Sequence, residues 1–139
     1  MAKEKSNEEI QKKYLELQLL VRQINDLQQQ IITIQTQILE LRNLKENIEK
    51  FKEIKPGSES YVPLGLNIFA KSKLTDNKEF LVAVGSNIMV TKTLDETADL
   101  IGRQVIEIEK VVVELEAQLN EFDLKGQDLQ MELVDLSKQ

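Results

Sequence analysis

The sequence contains no cysteine, no histidine and no tryptophan, and among its 139 residues there are only two prolines and five glycines. Without thiols or imidazoles it has no cysteine nucleophile, no histidine base and no soft metal ligand, which removes the commonest catalytic and zinc-binding constellations. Disulfide bonds are excluded as a means of stabilisation. No stretch is long and apolar enough to span a bilayer, and the opening residues MAKEKSNEEI carry no apolar segment of the secretory kind, so the expectation is a cytoplasmic protein that does not engage a membrane. Aromatic residues are scarce at 4%, whereas 30% of residues are charged, so the apolar weight falls on Leu, Ile and Val. That balance suits long helices meeting along narrow seams better than one compact core.

Charge is unevenly distributed. The formal net charge is −6, and from Leu94 onward four Lys or Arg face twelve Asp or Glu, while the chain before that point is close to balanced. An acidic segment of this kind repels a phosphate backbone and argues against a nucleic-acid partner. Lys, Asp and Glu are plentiful, yet no glycine-rich phosphate loop or carboxylate constellation stands apart from ordinary surface charge, so nothing points to an enzyme.

Three segments follow one another. Residues 7–53 lack Pro and Gly, and apolar residues recur at steps of three and four: Ile10, Tyr14, Leu17, Val21, Ile24, Leu27, Ile31, Ile34, Ile38, Leu41, Leu44, Ile48 and Phe51. This predicts a helix with a coiled-coil seam. Val21 to Leu27 and Ile38 to Leu44 show consecutive steps of three, which predicts two stammers that overwind the supercoil. The glutamines at 28, 29, 30, 35 and 37 are interleaved with the isoleucine seam and read as a polar helix face. Pro56, Gly57 and Ser58 end the helix.

Residues 58–93 change period. From Val62 the even positions Leu64, Leu66, Ile68, Ala70 and Leu74 are apolar, the alternation of a half-buried strand, with Pro63 assigning its first part to an edge. Phe80–Val84 and Ile88–Thr93 read as further strands, with turns at 75–78 and 85–87, giving a small antiparallel sheet of three or four strands. Short strands with open edges are marginal alone, so the sheet is expected to pair with other chains. Val62, Leu64, Leu66, Ile68, Phe80, Val82, Val84, Ile88 and Val90 are the candidates for that contact.

Residues 94–138 form a second helix. Thr93 and Glu96 have the spacing of a capping box, and Leu94, Ala98, Ile101, Val105, Ile108, Val112, Leu115, Leu119, Phe122, Gly126, Leu129, Leu133 and Leu136 alternate steps of four and three throughout. Gly126 alone brings no side chain to this seam and marks a soft point. The two helices are each about 45 residues long, or roughly 65 to 70 Å at 1.5 Å per residue. Equal lengths across a short sheet predict a helical hairpin with both termini at one remote tip. One seam cannot hide every apolar residue, which leaves Leu20, Ile32, Leu39, Val111, Val113, Leu124, Met131 and Val134 at or beyond its flanks.

The order of these segments, with YVPLG entering the first strands and FLVAVGSNIMVTKTLDE bridging the last strands to the second helix, resembles the alpha class of prefoldin subunits over nearly the whole chain. The resemblance implies an α+β fold in which a long antiparallel two-helix coiled-coil hairpin is joined by a small β-hairpin region that oligomerises into a β-barrel platform, here as one domain of residues 1–139. It further implies an ATP-independent holdase that captures unfolded polypeptides and passes them to a group II chaperonin. Its partners would be beta-class subunits in a hetero-hexamer, with no cofactor. Projected onto this sequence, the client-binding candidates are Ile10, Tyr14, Leu17, Leu129, Met131, Leu133, Val134 and Leu136. Met131 and Val134 stand off the seam, and methionine adapts to varied apolar partners. Two other readings remain open: a paralogue that assembles with itself into filaments and serves also as scaffold, and a coiled-coil adaptor without client binding.

Overall fold

The computed structural model describes residues 2–138. In chain order they form helix α1 (Ala2–Lys50), a single 3-10 turn (Phe51–Glu53), strands β1 (Glu59–Gly65), β2 (Ile68–Lys73), β3 (Glu79–Gly85) and β4 (Ile88–Thr93), and helix α2 (Leu94–Ser137). Helix α1 begins upstream of the expected Asn7, because the residues around Glu4 are good helix formers and its carboxylate favours a helix N-terminus.

The chain divides into two compact units. A terminal unit comprises Met1–Gln37 and Ile108–Gln139, and a hairpin unit comprises Ile38–Glu107. In the terminal unit Lys13 bonds to Glu132 at 2.8 Å while Leu17 and Leu20 lie over Gly126, so α1 and α2 run antiparallel there. In the hairpin unit Lys45 lies over Gly102 and Lys52 pairs with Asp95 at 3.3 Å, again antiparallel.

The α1 seam differs from the expectation at three points. Leu20 is 6% exposed and belongs to the core, whereas its neighbour Val21 is 47% exposed. Tyr14 and Leu44 likewise face outward, and Lys13 and Lys45 take the seam positions. With Lys13, Leu20 and Lys45 substituted for their apolar neighbours, the covered residues from Ile10 to Ile48 alternate steps of three and four without a break, and neither stammer exists. Choosing the more apolar of two adjacent residues produced the false steps. A lysine occupies a seam by laying its stem along apolar surface while its ammonium reaches a partner or water. Lys13 finds Glu132, and that hydrogen bond, aided by the charges of Glu132, Glu9 and Glu16 against partial desolvation, holds the ammonium's pKa above its ordinary value. Lys45 lays its end over Gly102, where an added Cβ would lie 3.4 Å from the lysine Nζ, an ordinary contact distance.

The α2 seam follows the expected pattern, with Leu94, Ala98, Ile101, Val105 and Val112 buried. Its start is capped as the spacing predicts: Glu96 N–H donates to Thr93 Oγ1 at 3.2 Å, Thr93 N–H donates to Glu96 Oε1 at 3.4 Å, and Thr97 Oγ1 donates to the Thr93 carbonyl at 2.7 Å. Gly126 is itself buried, covered by the leucines of α1. A Cβ at that position would meet Leu20 Cδ2 at 3.6 Å and Leu17 Cδ1 at 4.0 Å, which is ordinary contact.

The strands form two separate two-stranded sheets, β1 with β2 and β3 with β4, rather than one sheet. They are copies of one another at an interval of twenty residues: Glu59 pairs with Lys73 as Glu79 pairs with Thr93, Val62 with Ala70 as Val82 with Val90, and Gly65 with Ile68 as Gly85 with Ile88. Both slip register at the same place, leaving Leu64 and Val84 as the extra residue of a bulge. Both turn on two residues of positive φ, Leu66 (46°) with Asn67 (61°) and Ser86 (49°) with Asn87 (60°), the type I′ pattern. Leu66, expected inside a strand, is therefore a turn residue. The segment 75–78 is a connection between hairpins. Asp76 Oδ1 accepts the Lys78 N–H at 2.8 Å, and Asn77 Nδ2 donates to the Ile54 carbonyl at 2.9 Å, which ties the connection to the end of the first helical segment.

Gly126→Ala is expected to raise the free energy of unfolding by about 1 kcal/mol, since alanine has the better helix propensity and its methyl meets no obstruction. Urea denaturation of the variant measures the change, and a loss of stability would show that the site does not accept a methyl group.

Candidate assembly and client-binding surfaces

Among the described residues, two sets of uncovered apolar side chains include the candidate residues, and each arises from a different local cause. The first lies on the hairpins. Cross-strand partners share a face and neighbours along a strand alternate, so one face of the first hairpin carries Ser60, Val62, Ala70 and Ser72, and the other carries Tyr61, Pro63, Phe69 and Lys71. On the first face the Ser60 and Ser72 hydroxyls are hydrogen-bonded at 3.0 Å. The equivalent face of the second hairpin carries Phe80 and Val82, and the Phe80 ring meets Phe51 edge-on with centroids 5.6 Å apart. Phe80 and Val82 are consequently half-buried within the hairpin unit, so Phe80 packs within its own chain.

The other candidate assembly residues, Val62, Leu64, Leu66, Ile68, Val84, Ile88 and Val90, are exposed. So are Tyr61, Phe69, Leu81 and Met89 on the opposite faces, which reading by even positions missed; their signal was the cross-strand pairing, which the turn at Leu66 determines. Leu66 is the extreme case, 95% exposed and held at a φ of 46° that a bulky side chain adopts only at a cost. Both strands of each sheet are edge strands, with unpaired N–H and C=O groups along their outer sides. An isolated hairpin of this size is marginal in water, and apolar faces together with open edges are what a further strand would cover.

The second set lies in the terminal unit. Of the client-binding candidates, Ile10, Leu17, Leu129, Leu133 and Leu136 are half-buried along the seam. Tyr14, Met131 and Val134 are exposed at 55%, 67% and 52%. Leu15, Leu19, Val21 and Leu124 are exposed in the same unit, and of these only Leu124 was expected outside the seam; the run YLELQLLV places more apolar residues in two turns than one seam accepts, which was the available signal. The structure thus separates the candidates into a covered group within the helix pair and an uncovered group on its outside. Ile32, Val111 and Val113, also in the terminal unit, are exposed as expected.

Among the described residues no helix is long and apolar enough to cross a membrane. Compared with known families, residues 20–139 match the family of prefoldin subunits. The chain belongs to the prefoldin subunit family. Prefoldin is a chaperone family of protein folding with a helical coiled-coil architecture, and is not known as a family of enzymes. Among similar proteins, prefoldin subunit alpha of Methanopyrus kandleri is 33% identical over 126 residues, covering 86% of this chain and 78% of that protein. Prefoldin subunit alpha of Thermofilum pendens is 28% identical over 108 residues, covering 78% and 81%. A filamentous PFD from Methanocaldococcus jannaschii, solved by cryo-electron microscopy, superposes with a TM-score of 0.75 at 23% identity over 84% of this chain and 96% of that one, which establishes a shared fold. Two long helices bracketing two small hairpins are thus the prefoldin fold.

Replacing Leu66 by Asn removes a fully exposed apolar side chain and places a residue tolerant of positive φ in the turn. The expected result is a hairpin at least as well formed by circular dichroism, with a lower mass by light scattering at micromolar concentration. An unchanged mass would remove Leu66 from the assembly surface.

Proposed function

We propose that this chain is a subunit of an oligomeric, ATP-independent holdase that holds unfolded polypeptides on the exposed apolar residues of its terminal unit and passes them to a group II chaperonin. The observation that carries the reading is the exposure of Met131, Val134 and Tyr14 beside a seam that is already filled by other residues. Nothing in the helix pair needs these side chains for its own packing, whereas burying each of them against a client is worth roughly 1.5–3 kcal/mol. Single contacts of that size are weak and reversible. Several copies acting on one unfolded chain convert them into retention through a high effective concentration, without nucleotide hydrolysis.

Such multivalency requires assembly, and the hairpins are the proposed means. Beta-class subunits joining the open edges of both hairpins would give a hetero-hexamer, the arrangement in keeping with the alpha-subunit relatives. A second reading, self-assembly into filaments, is favoured by one specific observation: the two hairpins repeat each other in register, bulge and turn, so the edge presented by one copy suits the other hairpin of the next. A head-to-tail contact of that kind propagates when its rotation does not close. The filamentous fold relative is in line with it. Negative-stain images of the chain expressed alone separate the two, long fibres favouring self-assembly and short species that change mass when a beta-class subunit is added favouring the hexamer.

Met131→Ser with Val134→Ser is expected to reduce suppression of aggregation of a chemically denatured client severalfold while the mass of the assembly stays the same. Undiminished suppression with an intact assembly would exclude these two residues as the client contact.

A further inference from the structure

The terminal unit carries two adjoining hollows, one between α1 and α2 and one on α2. One is lined by Val21, Leu124 and Gly126 together with Asp123, and the other by Met131 and Val134 together with Asp135; Gln127 and Gln130 line both and join them into one groove. Gly126 borders the first hollow, where an added Cβ would be in ordinary contact with Leu20 and Leu17 of α1. Each hollow combines apolar side chains with one carboxylate, and no described residue lining either is cationic. The carboxamides of Gln127 and Gln130 lie between, able to donate to and accept from an extended backbone.

We infer that this groove selects client segments that are apolar and basic together: an extended non-native stretch whose apolar side chains enter the two hollows and whose Lys or Arg residues meet Asp123 and Asp135. The inference rests on the holdase reading and names the class of segment that the subunit prefers. Leu124 and Met131 are seven positions apart on one helix, about 10 Å at 1.5 Å per residue, which an extended chain spans in about three residues. The preferred segment thus has two large apolar residues about three apart with a cation beside them. Acidic segments are disfavoured by the same two carboxylates, and the wider surplus of Asp and Glu over Lys and Arg in α2 acts in the same direction. The selection has a use in a chaperone: a purely apolar surface would also attract the flanks of its own neighbours, whose α2 is acidic.

The test uses the full chain in its assembled form and two labelled unstructured peptides of one length. Each carries two leucines three residues apart, flanked by lysines in one and by glutamates in the other, and binding is followed by fluorescence anisotropy. The lysine peptide is expected to bind about tenfold more tightly at low ionic strength, the gap narrowing as salt screens the exposed carboxylates. Asp123→Asn with Asp135→Asn is expected to erase the preference while binding of the glutamate peptide holds or improves, and Leu124→Ser is expected to weaken both peptides together. Equal binding of the two peptides by the unmodified chain overturns the inference and leaves the holdase reading in place. A preference that survives in the Asn variant also overturns it, since the groove is then not its origin. If neither peptide binds while aggregation of a denatured client is still suppressed, the groove is not the client site; if suppression is absent as well, the holdase reading fails with it.

Discussion

The contact between two helices along a single seam is the interaction on which the rest of this molecule depends. A helix pair has one shared stripe, and each residue in it is covered from one side by its own helix and from the other by its partner. Among the described residues no side chain is fully enclosed, and even the best covered apolar ones, such as Leu20 and Ile101, keep 6% of their surface in contact with water. The capacity of such a seam is limited to two positions in seven. A chain in which 41% of residues are hydrophobic exceeds that capacity. The surplus is distributed to two places, the hairpins and the outer flanks of the helices, and those are the surfaces proposed to meet other molecules.

Charged residues inside the seam show how the pairing keeps its register. Lys13 bonds to Glu132 across the terminal unit, and Lys45 lies over Gly102 in the hairpin unit. A shift by one turn would leave Lys13 without its carboxylate. Polar seam residues lower stability relative to leucine, and in exchange they exclude alternative alignments. Gly126 differs in kind. It is covered by Leu17 and Leu20 and holds no lysine stem, and a hollow beside it opens next to exposed Val21 and Leu124.

The hairpins present the opposite economy of structure. Their internal core is confined to contacts such as Phe80 on Phe51, and their backbone turns are stretched to positive φ at four residues other than glycine. What they have in abundance is uncovered apolar surface and open strand edges. A chaperone that works by many weak contacts needs several copies held together, and elements that are incomplete alone but identical in design supply both the adhesive surface and the repeat. In this sense the marginal stability of the hairpins and the multivalency proposed for the client surface are linked: the former would drive the assembly on which the latter relies.

Much of this was legible in the residues. The helix-forming stretches, the capping box at Thr93, the seam of α2 and the change to strand period were evident because each rests on local spacing, and periodicity is a property of sequence. The resemblance to prefoldin rested on their order. The seam of α1 was read wrongly at Tyr14, Val21 and Leu44, since hydrophobicity alone cannot choose between adjacent residues when a lysine stem can occupy a seam as well as a leucine can. The hairpin pairing was missed for a related reason: Leu66 has no turn propensity, so the alternation seemed to run through it, and the copy relation to Gly85–Ile88 was the signal that would have corrected it. By itself the sequence determined which segments are helix and strand and that more apolar surface exists than one seam can bury. Only the tertiary structure decided which apolar residues stay outside and that Leu17 and Leu20 cover Gly126, because exposure depends on what the partner helix covers, and that is fixed by the alignment of two segments far apart in the chain.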